Sequence, residues 1–379
     1  MSAESQMRPM RPRARDLGIR VGRMEPGAHN AITDVPGVRV GHTTLISGDG
    51  PLRRGEGPIR TGVTVVIPHD GDVWTDAIFA GAHRLNGNGE LTGLEWIRES
   101  GLLTGAIGLT NTHSVGVVHD ALIEAAVQAR APQDAFWSLP VVGETFDGAL
   151  NDIDGFHIRP EHVHAALDAA ESGPVAEGNV GGGTGMICHE FKGGIGTASR
   201  RAGEWSLGVL VQANYGRRDL LRIDGVPVGA SIPREQVPSA WDQFDDVARR
   251  EGPDGGSIIA IVGTDAPLLP HQCERLAQRV SMGLGRMGSY ASNSSGDLFL
   301  AFATGNRGLG GDEGTADVRM VVGTAIDPLF EATAEATEEA IVNALLAAET
   351  MTGRDGITAH ALDPERVVEI MRAHGRPGA

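Results

Sequence analysis

The sequence is short of several residues on which whole classes of chemistry depend. It has two cysteines, Cys188 and Cys273, far apart and outside any Cys-x-x-Cys pair. That excludes a disulfide framework and a thiolate metal cluster, and it fits a reducing compartment. Lys192 is the single lysine, so lysine chemistry has one candidate. Cationic residues are outnumbered, 32 against 49 Asp and Glu, for a net charge of −17. A binder of nucleic acid or of anionic membrane surfaces needs the opposite sign. The exception is an arm with Arg8, Arg11, Arg13 and Arg15, which reads as a disordered tail. No run of about 18 apolar residues is present to span a bilayer, and the first residues lack the apolar core of a secretion signal. The expectation is a soluble, cytoplasmic protein with neither membrane nor nucleic acid among its partners.

Glycine is abundant instead. It supplies 54 of 379 residues, about twice the average share of roughly 7%. Many tight turns and close backbone approaches follow, without a collagen-like period. A hydrophobic content of 41% supports a sizeable core, in one large domain or two modest ones.

Apolar runs at 62–68, 106–110, 139–142, 207–212, 258–262 and 298–303 read as strands, as do the shorter 115–118 and 320–322. Helical spacing covers 91–100, 119–130, 160–170, 270–283 and 328–349. Asp363-Pro364 caps a last helix. Alternating strands and helices predict an α/β or α+β protein with layered packing. Residues 229–256, with Pro233, Pro238, Pro253 and many charges, read as an exposed linker.

Familiar motifs fail one by one. The glycine-rich stretch 178–185 fits neither GxGxxG nor GxxxxGK[ST], so it reads as a tight structural loop. Asp152, Asp154 and Glu161 imitate part of a calcium loop, but Leu150 stands at the first ligand position. There is no HExxH and no GxSxG; 112–116 lacks the first glycine of the latter. No metal or cofactor is expected. Asn293-Ser294-Ser295-Gly296-Asp297 is by itself a polar turn. Gly256-Ser257 before the run 258–262 is by itself a loop entering a buried strand. The same junction also suits a self-cleaving precursor, with an unhindered Gly256 carbonyl and a hydroxyl on the next residue.

Several stretches taken in order are more specific. They are Asp34-Val35-Pro36-Gly37-Val38-Arg39-Val40-Gly41-His42-Thr43, the segment 144–152 (Glu144-Thr145-Phe146-Asp147-Gly148 onward) and the segment 177–186 around Gly181-Gly182-Gly183. Val211-Gln212-Ala213-Asn214, Gly256-Ser257-Ile258-Ile259 with Thr264-Asp265-Ala266-Pro267-Leu268, and Ser295-Gly296-Asp297 follow. Together they resemble the L-aminopeptidase D-Ala-esterase/amidase group, the DmpA/BapA-type β-aminopeptidases of peptidase family S58. The resemblance runs from about Ile32 onward.

That resemblance implies a four-layer αββα sandwich, similar to N-terminal-nucleophile hydrolases but with different connectivity. It implies a precursor that cuts itself at Gly256–Ser257. A tail of residues 1–31 would precede an α chain body of 32–256, with 229–256 as its exposed end. A β chain of 257–379 would begin at the nucleophile. The αβ units would form a homo-oligomer. Ser257 would be nucleophile and, through its freed α-amine, base. Asn214 would donate to the oxyanion, and Ser295 and Asp297 would support the proton transfers. Glu144 would bind the substrate's amino terminus. Phe146 would line the substrate site where at least one relative has Tyr, and Asp297 stands where some relatives carry Glu. The implied activity is release of N-terminal residues from small peptides, amides or esters, including D-Ala or β-amino acyl substrates, without a cofactor. The alternatives are acyl transfer on the related ornithine acetyltransferase architecture, which uses Thr as nucleophile, and a non-catalytic binding protein.

Overall fold

The computed structural model describes residues 11–243, 256–310 and 314–376. Two sheets form the middle of the molecule. The first combines β1 (Arg39–Ser47), β2 (Ile59–Ile67), β5 (Ile107–Asn111) and β6 (Val141–Thr145), in the order β1-β2-β5-β6. The second combines β3 (Ile78–Arg84), β4 (Leu102–Leu103), β9 (Gly194–Ala202), β10 (Trp205–Asn214), β11 (Ser257–Thr264) and β12 (Gly296–Ala303), in the order β4-β3-β12-β11-β10-β9. In the chain a short hairpin, β7 (Ile187–Cys188) and β8 (Phe191–Lys192), lies between β6 and β9.

Alternation along the strands assigns the layers. In β11, Ile259 and Ile261 join a core with Leu109, Val66 and Val141 of the first sheet, while Ile258, Ala260 and Val262 face the other way. A strand buried on both faces reads as a continuous apolar run, which is why the period-2 signal is missing there. The outward face of the second sheet is covered by α4 (Pro270–Arg286) and α5 (Asp327–Ala347), which follow α1 (Leu94–Ser100), α2 (Val115–Gln128) and α3 (Pro160–Asp168) in the chain. Residues of α2 and α3 cover Val63, Val65 and Val142 on the first sheet's outer face. The layers are therefore αββα, as expected. Both parallel pairs, β5/β6 and β11/β12, have a helix in the crossover, α2 and α4 respectively, as parallel neighbours require. Among the described residues, no helix is long and apolar enough to cross a membrane.

The local reading needs four corrections. Residues 115–118 are the first turn of α2, not a strand; their β-branched residues form a helix because Val118 packs into the helix–sheet core. Residues 320–322 form no strand; Met320 and Val322 are exposed and the chain there has no ladder partner. The tail reading of 1–31 fails for 11–31. Ala14, Ile19 and Val21 are fully buried, Arg13 pairs with Glu177 at 2.7 Å and Arg15 with Glu339 at 2.9 Å. The arm is held because the carboxylates it meets are themselves buried; Glu339 also takes Arg200 at 2.7 Å. Arg8 lies outside the described residues. The linker reading holds only in part for 229–243: 233–236 and Pro238 are exposed, but Gly229, Ile232, Ser239 and Ala240 are buried and anchor the segment; residues 244–255 lie outside the described residues.

Candidate active site

Ser257 is the first residue of β11, the inner strand between β10 and β12. Its register partners are Asn214, the last residue of β10, and Gly296, the first of β12. Strand pairing alone thus sets an amide on one side of the hydroxyl and a glycine on the other. A Cβ on Gly296 would stand 2.9 Å from Ser257 Oγ and 2.2 Å from the Asn88 carbonyl, so only glycine leaves the hydroxyl room. Gly256 is constrained likewise: a Cβ there would meet the Asn214 carbonyl oxygen at 2.3 Å. The Gly256 carbonyl accepts a hydrogen bond from Gly296 N at 3.2 Å.

Ser295 and Asp297 flank Gly296. Ser295 Oγ donates to Asp297 Oδ1 at 2.7 Å, so the short Asp side chain reaches its partner. Asp297 Oδ2 accepts from Asn86 Nδ2 at 3.1 Å, and the carboxylate also accepts from the Ile258 amide, next to the nucleophile. Burial pushes the Asp297 pKa up, and these three hydrogen bonds oppose it.

Asn214 is held at both ends of its amide. Ile187 N donates to Oδ1 at 2.8 Å, and Nδ2 donates to the Phe146 carbonyl at 3.0 Å. Nδ2 has two hydrogens, so one is left over. Phe146 meets Asn214 through its backbone, while its ring is 42% exposed above Gly148.

Glu144, at the end of β6, comes from the other sheet. Its carboxylate accepts from Glu90 N at 2.9 Å and from Thr112 Oγ1. Burial raises its pKa, with both hydrogen bonds opposing. A Cβ on Gly89 would stand 3.1 Å from Glu144 Oε1 and 3.3 Å from Gly296 Cα. Gly89 and Gly296 therefore form a side-chain-free floor between Glu144 and Ser257. A cavity of about 370 Å³ adjoins it, lined by Gly87, Gly89, Glu90, Trp96, Leu139 and Leu298. A larger cavity of about 440 Å³ beside α2 contains none of these site residues.

The structure brings Ser257, Asn214, Glu144, Ser295 and Asp297 to one end of the central sheets. All five are buried, Ser257 being the most open at 8%. Sequence reasoning gave no site role to the 86–90 turn, which supplies Asn86 to Asp297 and Glu90 N to Glu144; an Asn-Gly-Asn-Gly pattern signals a turn but not its location. Thr112 was weighed only within 112–116, which fails the GxSxG pattern.

Residues 30–359 match the pattern of Peptidase family S58. The chain belongs to peptidase family S58. Its similarity to a curated relative, the beta-peptidyl aminopeptidase BapA of Sphingosinicella microcystinivorans, is 48% identity over 97% of this chain and 94% of that one. Among solved structures, the Burkholderia sp. beta-aminopeptidase superposes with a TM-score of 0.88 at 54% identity, covering 97% of this chain and all of the other. The L-aminopeptidase D-Ala-esterase/amidase of Ochrobactrum anthropi gives 0.87 at 44% identity, covering 96% and 99%. That structure is described as a prototype for the serine aminopeptidases and a variant of the N-terminal-nucleophile hydrolase fold. This S58 chain is accordingly a hydrolase of the serine aminopeptidase type on that fold.

Proposed function

We propose that this S58 peptidase cuts itself before Ser257 and then releases N-terminal residues from small peptides, amides or esters. β-Amino acyl and D-Ala derivatives are included, by analogy with the relatives' named substrates. The observation that carries this reading is Ser257 at the head of an inner strand, flanked in register by Asn214 and Gly296 and facing Glu144 across a glycine floor.

In the precursor, Ser257 Oγ attacks the Gly256 carbonyl carbon. The Gly296 amide hydrogen-bonds that carbonyl oxygen and steadies the charge it gains. The Gly256–Ser257 amide becomes an ester, and water cleaves it. Residues 1–256 and 257–379 remain packed together, because β10 and β11 are joined by a continuous ladder. The freed α-amine has an ordinary pKa of about 7.7–8.0, which suits a base near neutral pH. It takes the Ser257 proton, Oγ attacks the substrate carbonyl, and an acyl-enzyme forms. Ser295, polarised by Asp297, passes protons to and from that amine. Asn214's remaining N–H meets the oxyanion. Glu144 pairs with the substrate's ammonium.

The decisive assay compares an aminoacyl anilide with its N-acetylated form. The free amine should be hydrolysed at least about 10²-fold faster in kcat/KM, the worth of one desolvated charge pair. Equal rates would exclude an aminopeptidase. A second expectation concerns pH. Chemistry needs the Ser257 amine neutral, so kcat/KM rises as pH climbs through about 7.7–8.0. Binding needs the substrate's amine charged, so the rate falls again above that amine's pKa. The profile should be a bell; a rate flat from pH 6 to 9 would rule out the α-amine as base.

A further inference from the structure

The single lysine has no part in the chemistry above, yet it is fully buried beside the site. Lys192 Nζ donates to the carbonyls of Met186 and Gly193 at 2.8 Å each, and to that of Gly183 at 3.3 Å. An ammonium has three N–H groups and no lone pair, so three carbonyls match it; a neutral amine would turn its lone pair on an oxygen. Burial works against charge here: it pushes the Lys192 pKa down to about 7, against the pull of nearby Cys188 and Asp147, and it pushes Asp147 up to about 7, against hydrogen bonds that include the one from Asn151. The Met186 carbonyl and the Ile187 N–H belong to one peptide unit. That N–H is the group that donates to Asn214 Oδ1 at 2.8 Å. Three donors thus run in one direction, from the ammonium to the Met186–Ile187 peptide, then to the Asn214 amide, then out through Nδ2. Aligned hydrogen bonds polarise one another in a dry interior.

We propose that Lys192 is a positioning residue for the oxyanion donor: through the Met186–Ile187 peptide it fixes which end of the Asn214 amide faces the site and makes its free N–H a stronger donor. The proposal rests on the reading of Asn214 as that donor, and it gives the glycine-rich turn 181–186 a second task besides packing. Lys192 would act on the transition state, in which the oxyanion is charged, and hardly on substrate binding.

The test is a double-mutant cycle on a free-amine aminoacyl anilide, with rates expressed per cleaved chain. Asn214→Ala should lower kcat by about 10²–10³-fold. Lys192→Met should lower kcat by about 10-fold, within the range for members of one hydrogen-bond network, with KM changed less than about twofold. Lys192→Gln, a neutral donor, should fall between Met and the wild type. In the Asn214→Ala background either Lys192 variant should cost less than about twofold in kcat. Equal losses in both backgrounds, or a change confined to KM, would overturn the proposal and leave Lys192 a packing residue. If Lys192→Met does not yield cleaved, folded chain, the cycle is read with Lys192→Gln. An undiminished kcat in Asn214→Ala would instead remove the oxyanion reading itself, so the two failures are distinct.

Discussion

Ser257→Ala should run as one uncut chain on a denaturing gel and lose aminopeptidase activity by a factor on the order of 10⁶, as when a serine nucleophile is removed elsewhere. The loss is this large because one residue would hold two roles. Without the hydroxyl there is neither attack on the Gly256 carbonyl nor an acyl-enzyme; without the cut there is no α-amine. The fold should survive. Ser257 makes its ladder contacts through its backbone, and alanine keeps them. The wild type should give two fragments, 1–256 and 257–379, and thermal unfolding should distinguish an uncut but folded variant from a misfolded one. A wild type that stays in one piece while hydrolysing the anilide would defeat the mechanism. So would activity surviving in Ser257→Ala.

Glu144→Gln should leave self-cleavage intact while kcat/KM on free-amine substrates falls by about 10²–10³-fold, or about 3–4 kcal/mol. The Gly256–Ser257 cut uses no ammonium, so it has no need of this charge. The substrate's amine does. Glu144 is 4% exposed, and its oxygens are occupied by Glu90 N and Thr112 Oγ1, which hold the carboxylate in place. An incoming ammonium would be desolvated there, and an amide opposite it would leave that charge unpaired. The substitution should therefore matter little for an N-acetylated substrate. A similar loss on both substrates would mean that Glu144 shapes the site rather than binding the amine.

These expectations draw on residues whose legibility in the sequence differed. Ser257 was legible locally as a loop-to-strand junction that also suits self-cleavage; the ordered motifs chose between the two. Asn214, Ser295 and Asp297 were legible only through the ordered motifs of the family; that they stand beside Ser257 follows from the pairing of β10, β11 and β12, which the local reading did not give. Phe146 was legible as a position but not as a contact: its carbonyl, not its ring, meets Asn214. Lys192 was noticed only for being the sole lysine. Nothing in a linear string indicates that a side chain turns inward on three carbonyls. The N-terminal arginines were misread because their partners, Glu177 and Glu339, lie far along the chain. Local composition cannot distinguish a charged tail from a charged strap that neutralises buried carboxylates.

The sequence by itself determined the family, the layered α/β class and the buried strand behind Ser257, and through the resemblance it named Asn214, Glu144, Ser295 and Asp297 as its neighbours. These depend on periodicity and motif order, which are properties of the string. Tertiary structure alone decided that Glu144 on one sheet meets Ser257 on the other across two glycines. It also decided that the 86–90 turn braces both Asp297 and Glu144, and that a buried lysine lies behind Asn214. Those contacts follow from how two sheets pack face to face, and face-to-face packing joins residues that no local pattern relates.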